Sequence, residues 1–415
     1  MDRRVVITGI GPVTPVGIGV DTFWDALVHG RSGIGPITAF DASGMNVKIA
    51  GEVRDFDATC WMSPKEIRQS DRVVQMAVAA TALAWADAGE PHVDLTRVGT
   101  IFATGIGGIG TLLDHHVRYL AKSPEEGIRS ISPFLVPLIM PNSAAGRVSM
   151  VFGFTGPSAC VSTACATGAH ALIDAFKYVR DGDCDLAIAG GSEAANLAVT
   201  VGSFDSMQAL SRNPEAERAS RPFDRDRDGF VLAEGACALV LEELSHARSR
   251  AAKIYAEVAG YGVSSDAYHI AAPDPSGVAA VRAVRMCLER SGESPGSVDY
   301  INAHGTSTPL GDATETRVIK AALGEHAPFV AVSSTKSMTG HMMGAAGAAE
   351  IGVAALSIAR CAIPPTMNYE TPDPDCDLDY VANKARDVDV RLALSDAFGF
   401  GGHNAVVAVR RIEAA

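Results

Sequence analysis

The sequence predicts an α/β protein assembled from two similar halves. Short β-type runs alternate with helical patterns along the whole chain, which argues for stacked layers of sheet and helix. Several of these runs are apolar on both faces, as in a sheet covered by helices on each side. A faint internal echo supports duplication. Val161-Ser162-Thr163-Ala164-Cys165 and Val332-Ser333-Ser334-Thr335-Lys336 each end an extended stretch and open a Gly- and Ala-rich segment. The halves are expected to meet near residues 250–260, giving units 1–253 and 254–415.

In chain order, the expected strands are 4–8, 98–104, 186–189, 236–241, 254–261, 300–303, 330–333 and 405–409. Residues 64 to about 88 read as one helix. Ser63 is its N-cap, Pro64 its first residue, Glu66 completes a capping box and Gly89 ends it. Residues 342–359 form a Gly- and Ala-rich run with one charge, Glu350. A bilayer span needs about 20 predominantly apolar residues. This run is marginal and carries its charge in the middle, so it reads as a buried helix, and no membrane insertion is expected.

Composition narrows the function. The chain has 415 residues, 47% of them apolar, which excludes a disordered chain or a small disulfide-stapled scaffold. Its net charge of −13 repels phosphate backbones, so a nucleic-acid partner is not expected. The eight cysteines form no C-x-x-C, and Met1-Asp2-Arg3-Arg4 leads into no signal-like apolar run. Reduced thiols and a cytoplasmic location follow as expectations.

Two motifs mislead. Gly105-Ile106-Gly107-Gly108-Ile109-Gly110 matches a dinucleotide fingerprint, but the acidic strand end it needs is replaced by the loop Lys122–Gly127. Asp224-Arg225-Asp226-Arg227-Asp228-Gly229 imitates the start of a calcium loop, yet the twelfth position is Gly235. The first reads as a tight turn, the second as a network of paired charges.

The chemistry gathers elsewhere. Cys165 sits where a β-type segment turns into a small-residue helix. A helix N-terminus favours thiolate, so Cys165 is the candidate nucleophile. His304, in Asn302-Ala303-His304-Gly305-Thr306-Ser307-Thr308, and His341, closing Lys336-Ser337-Met338-Thr339-Gly340-His341, occupy similar strand-to-turn positions. A single histidine in such a place is most simply a core or capping residue. Two of them and a cysteine in matching settings point to a shared site. Lys336 and Glu350 form a plausible buried pair.

These blocks, with Arg221-Pro222-Phe223-Asp224, Asp228-Gly229-Phe230 and Phe398-Gly399-Phe400-Gly401-Gly402, resemble the condensing enzymes of type II fatty-acid synthesis, the beta-ketoacyl synthases. The resemblance runs through nearly the whole chain in order. It implies a thiolase-like fold of five layers, α-β-α-β-α, from two similar halves, and a homodimer. It implies an acyltransferase that holds an acyl group on Cys165 and condenses it with malonyl-acyl carrier protein (malonyl-ACP), with no cofactor beyond the phosphopantetheine of the carrier. His304 and His341 would stabilise the enolate, with Lys336 and Glu350 tuning the site. The N–H groups of Cys165 and Phe400 would form the oxyanion hole, and Phe400 would also gate the acyl chain. Thr306 and Thr308 would hold pantetheine, while Ile106 and Phe204 would line the acyl pocket. Lys65 and Arg68 match docking positions for the acidic carrier, and Arg72 shares their helical spacing.

Some positions depart from the family pattern. Gln208 stands in place of an arginine, Asp396-Ala397 in place of Asn-Ser and His403 in place of a threonine, and residues 118–128 look a few longer. Two other readings stay open: the ketosynthase of a type II polyketide system, which shares the triad, and a non-catalytic chain-length-factor-like partner, against which Cys165 argues.

Overall fold

The computed structural model describes residues 3–413; Met1 and Asp2 of the leader reading lie outside them. Ten strands form the path of one large sheet: β1 (Val5–Thr14), β2 (Val98–Ala103), β3 (Ser158–Ala159), β4 (Leu186–Glu193), β5 (Gly235–Glu243), β6 (Ala256–Ser265), β7 (Tyr300–Asn302), β8 (Ala331–Ser333), β9 (Leu392–Gly399) and β10 (His403–Arg410). Their order is β8-β7-β9-β10-β6-β1-β5-β4-β2-β3, with the short strand Gly17–Ile18 paired to β1 off the path.

Duplication is written in that order. Counting strands within each half, both run 3-2-4-5-1. The pairing types repeat as well. In each half strand 2 is parallel to strands 3 and 4, and strand 5 is antiparallel to strands 4 and 1. The halves join where β1 meets β6, antiparallel, at Val6–Glu257 and Ile7–Ala256.

Helices complete five layers. Among them, in chain order, are α1 (Pro64–Arg68), α2 (Arg72–Asp87), α3 (Ile109–Leu120), α4 (Thr167–Arg180), α5 (Val278–Ser291), α6 (Pro309–Leu323) and α7 (Ala346–Arg360). Outside, α2 covers β1 and β5, while α5 covers β6 and β10. Inside, α4 and α7 pack on each other between the two half-sheets. Small residues allow that contact. A Cβ on Gly168 of α4 would lie 2.6 Å from the backbone nitrogen of Ala348 in α7. Helix propensity alone favours alanine over glycine by about 1 kcal/mol, but backbone cannot yield as a side-chain tip can. Gly168→Ala is therefore expected to destabilise by about 1–3 kcal/mol in urea unfolding, and a stabilised variant would refute the tight helix contact.

Several elements differ from the sequence reading. The helix over 64–88 is two helices, α1 and α2. The Ser63 capping box forms as expected, but Asp71 caps a second start by accepting from the N–H of Val73. Asp71 also accepts from Thr111 on α3, so tertiary contact fixes the break. β1 runs on through Gly9-Ile10-Gly11-Pro12, because the backbone of α2 presses against Gly9 and Gly11. β9 was not foreseen, since Ser395 and Asp396 interrupt its apolar pattern, yet both are buried.

The echo also shifts. Lys336–Thr339 is only one helical turn. The counterpart of the Ala164–Ala166 turn before α4 is the Met343–Ala345 turn before α7. Ala164 and Met343, which open these turns, share the left-handed conformation, φ 51° and 47°. Cys165 therefore corresponds to Gly344.

The 342–359 run lies in that turn and in α7, buried from Met342 to Ile358. Among the described residues no helix is long and apolar enough to cross a membrane.

Candidate active site

Cys165 occupies the turn between β3 and α4 and is 3% exposed. His304 follows β7, and His341 lies between β8 and α7. Sγ of Cys165 and one nitrogen from each imidazole all lie within 4.8 Å of one another. The rings meet edge to face, centroids 5.4 Å apart. Residues 139 and 176 positions apart in sequence thus converge because the two half-sheets present corresponding turns to one cleft.

Backbone anchors hold the histidines. Glu315 on α6 accepts from the N–H groups of His304 and Gly305, both at 2.7 Å. The N–H of His341 donates to the Val231 carbonyl at 2.7 Å. The rings themselves are free: Nδ1 of His304 and both nitrogens of His341 are buried without a partner among the described residues. Burial and the Lys336 ammonium hold both imidazoles well below the usual histidine range, so they are neutral.

Lys336, 1% exposed, is paired with Glu350 behind the cleft. Asp396 lies beside this pair with both carboxyl oxygens unpartnered, and burial pushes it up to about 7.

The thiol departs from expectation. The helix N-terminus was expected to favour thiolate, but burial dominates and pushes Cys165 up to about 12. The opposing pulls are the Lys336 charge and a hydrogen bond from the Phe400 N–H. Thiolate below its pKa grows about tenfold per pH unit. The alkylation rate of Cys165 by iodoacetamide is therefore expected to keep climbing past pH 9. A plateau below pH 8 would show that dipole and ammonium outweigh burial.

Phe400 reaches the sulfur because Gly399 lacks a side chain; a Cβ there would lie 2.5 Å from the Thr163 carbonyl oxygen. The loop turns back through Gly401 and Gly402, φ 82° and 74°. Phe400 and Phe230 both face the Phe204 ring, which belongs to a cluster containing Cys165 and Met343. The cleft is lined by Cys165, His304, His341, Phe400, Thr306 and Thr308. The two threonine hydroxyls are 3.0 Å apart.

Not every expected residue joins the cleft. Ile106 and Phe204 lie outside its lining, whereas Gln208 is part of it. Lys65 and Arg68 are exposed, but Arg72 is bound by both oxygens of Glu234 and by the Val53 carbonyl, so it is not a free docking charge. His403 packs edge-on to His170 beneath the Phe400 loop.

Both false motifs resolve. The N–H groups of Gly105 and Ile106, which a phosphate would need, donate to the carboxyl of Glu193. In the Asp224–Gly229 segment, Arg227 pairs with Asp312 and Asp373, and Asp224 accepts from the N–H groups of Glu370 and Thr371.

Glu193 and Glu315 were missed in the sequence. Glu193 is fully buried and also accepts from Thr104 and from the N–H of Gly344, tying the Ile106 turn to the turn that follows His341. Burial pushes it up to about 7. The available signal was a lone acid ending an apolar strand, in Gly190-Gly191-Ser192-Glu193.

Comparison with known proteins agrees with this architecture. Residues 2–247 match the family model "Beta-ketoacyl synthase, N-terminal domain" and residues 255–370 match the corresponding C-terminal domain. The chain belongs to the beta-ketoacyl synthase family, and its fold is thiolase-like. Among particular proteins, it is 48% identical over 416 residues to 3-oxoacyl-[acyl-carrier-protein] synthase 2 of Synechocystis, covering 99% of each chain. It is 46% identical over 413 residues, again 99% of each, to the protein of that name from Coxiella burnetii. Among solved structures, a type II polyketide ketosynthase in complex with its acyl-carrier protein and bound to the hexaketide matches with a TM-score of 0.92 at 35% identity over all of both chains. A beta-ketoacyl synthase from Burkholderia phymatum matches at 0.90 and 33% identity, over 99% of this chain and 100% of that one.

Proposed function

We propose that this chain is a 3-oxoacyl-ACP synthase of fatty-acid elongation. It joins an acyl group held on Cys165 to malonyl-ACP, releasing CO2 and 3-oxoacyl-ACP. The convergence of one thiol and two neutral, unpartnered imidazoles in a single cleft carries this reading.

The steps follow from the site. Cys165 attacks the acyl thioester and expels the pantetheine thiol. Its own proton leaves as it attacks, and the free imidazole nitrogens are acceptors in reach. The N–H groups of Cys165 and Phe400 stabilise the oxyanion. Malonyl-ACP then loses CO2, and the charge develops on its thioester oxygen. Two neutral imidazoles suit that oxygen because each can donate an N–H to it. The carbanion attacks the Cys165 thioester and the sulfur departs. Decarboxylation itself generates the carbanion, so this sequence uses no redox or metal cofactor. Burial, with the charge of Lys336 held by Glu350 added to it, keeps the imidazoles neutral. Thr306 and Thr308 hold the pantetheine arm, and Phe400 swings aside for the acyl chain. Ile106 and Phe204 shape the pocket beyond it.

The carrier is acidic, so Lys65 and Arg68 serve as its docking charges. A second copy of the chain covers the apolar surface of residues 109–150, where Val117, Leu120, Ile128, Phe134, Val136 and Met150 are exposed. The two halves, 1–253 and 254–415, supply the nucleophile and the histidines respectively. The location is the cytoplasm, in keeping with eight unpaired cysteines.

Identity of 48% to the 3-oxoacyl-[acyl-carrier-protein] synthase 2 of Synechocystis, against 35% to the polyketide ketosynthase, favours a fatty acyl-ACP over a polyketide chain as the primer. Turnover of acyl-ACPs of graded length with malonyl-ACP is the test. Products two carbons longer support the reading, and use of polyketide chains alone would overturn it.

A further inference from the structure

We propose that Cys165, His304 and His341 together form a reversible binding site for a soft divalent cation of the Zn2+ class. The three ligand atoms already lie within 4.8 Å of one another. Tetrahedral coordination by one sulfur and two imidazole nitrogens sets them about 3.3–3.6 Å apart, so closing on a metal asks for a shift of about 1 Å in side chains alone. The residues are 3%, 8% and 2% exposed, and three of the four imidazole nitrogens have no partner to give up. A sulfur with two imidazoles selects zinc, cadmium or cobalt over magnesium or calcium, which prefer oxygen ligands.

Among the described residues Lys336 is the one charged side chain acting on all three ligands, and its charge is met by its own partner Glu350, while Glu193 adds a second carboxyl beside Cys165 alone. On binding, a sulfur–metal bond forms and the thiol proton leaves to solvent. No electron is transferred. The fourth metal position faces the open cleft and takes water. A sulfur held in this way cannot attack a thioester, so the metal switches the enzyme off until a chelator removes it. That consequence rests on the reaction proposed above; the binding itself does not.

The test uses the intact, chelator-treated protein with the metal alone. Co2+ serves as the spectroscopic probe, Zn2+ as its competitor and Mg2+ as the control. The expected result is one equivalent of Co2+ with a thiolate-to-cobalt charge-transfer band that Zn2+ removes and Mg2+ leaves. That band is absent in Cys165→Ser. Affinity falls at least about tenfold in His304→Ala and in His341→Ala. Zn2+ also slows iodoacetamide labelling of wild-type Cys165 at least about tenfold, and chelator restores it, which requires no variant to fold. Unslowed labelling overturns the proposal. So does Zn2+ binding of wild-type strength in the histidine variants, which would move the metal elsewhere, such as His115 and His116 on α3. Metal binding in a protein that fails to condense acyl-ACP with malonyl-ACP would leave the metal site standing and remove the functional reading instead.

Discussion

Cys165→Ala is expected to abolish the acyl-enzyme. Incubated with acyl-ACP, the wild-type protein should gain the mass of one acyl group, mapping to the peptide that contains Cys165, and the variant should gain none. The effect is total because no other thiol shares the setting. Cys160 is only partly buried and Cys237 lies within the core, and neither belongs to the group formed with the two imidazoles. Cα of residue 165 sits in a well-packed turn, so the smaller side chain leaves the fold intact. Label on a different cysteine would sink the assignment of the nucleophile.

The second large effect separates the two half-reactions. His304→Ala and His341→Ala should each lower malonyl-ACP decarboxylation by about 100- to 1000-fold, the usual consequence of losing one donor to a developing oxyanion. Acylation of Cys165 should persist in part, because its oxyanion is served by backbone N–H groups and either imidazole can take the thiol proton. The physical root is the neutrality of both rings: burial and the Lys336 charge suppress their protonation. Neither His304 nor His341 should then add a step to decarboxylation as pH falls from 8 to 6; the buried carboxyls of Asp396 and Glu193, pushed up to about 7, do titrate there. A His304 or His341 ring titrating near about 6.5 by NMR would contradict donors that are already neutral. Equal losses in both half-reactions would make the histidines structural.

Much of this was legible in the chain. The three residues that converge in the cleft, the Lys336–Glu350 pair and the duplicated α/β plan were all available from local pattern and family resemblance. The Ser63 capping box was read correctly because its hydrogen bonds are local, between residues three apart. Errors arose where distant parts decide. The single helix over 64–88 was broken by Asp71, whose second oxygen is claimed by Thr111. Arg72 looked like a surface charge by spacing and is instead bound to Glu234, 162 residues on. The helix dipole was expected to govern Cys165, but the desolvation of a sulfur packed among Val201, Phe230 and Met343 outweighs it.

By itself the sequence determined which side chains carry thiol, imidazole and carboxyl chemistry and where the locally signalled elements lie, since these depend on residue type and near neighbours; β9 and the break at Asp71 needed distant contacts. Tertiary structure alone decided how those atoms meet. Glu193 shows why: one buried carboxyl takes N–H groups from the turns at 105 and 344, and no periodicity records a hydrogen bond across 151 residues. Protonation was settled at the same level, because the free energy of a charge depends on the water excluded around it, and packing from both halves does the excluding.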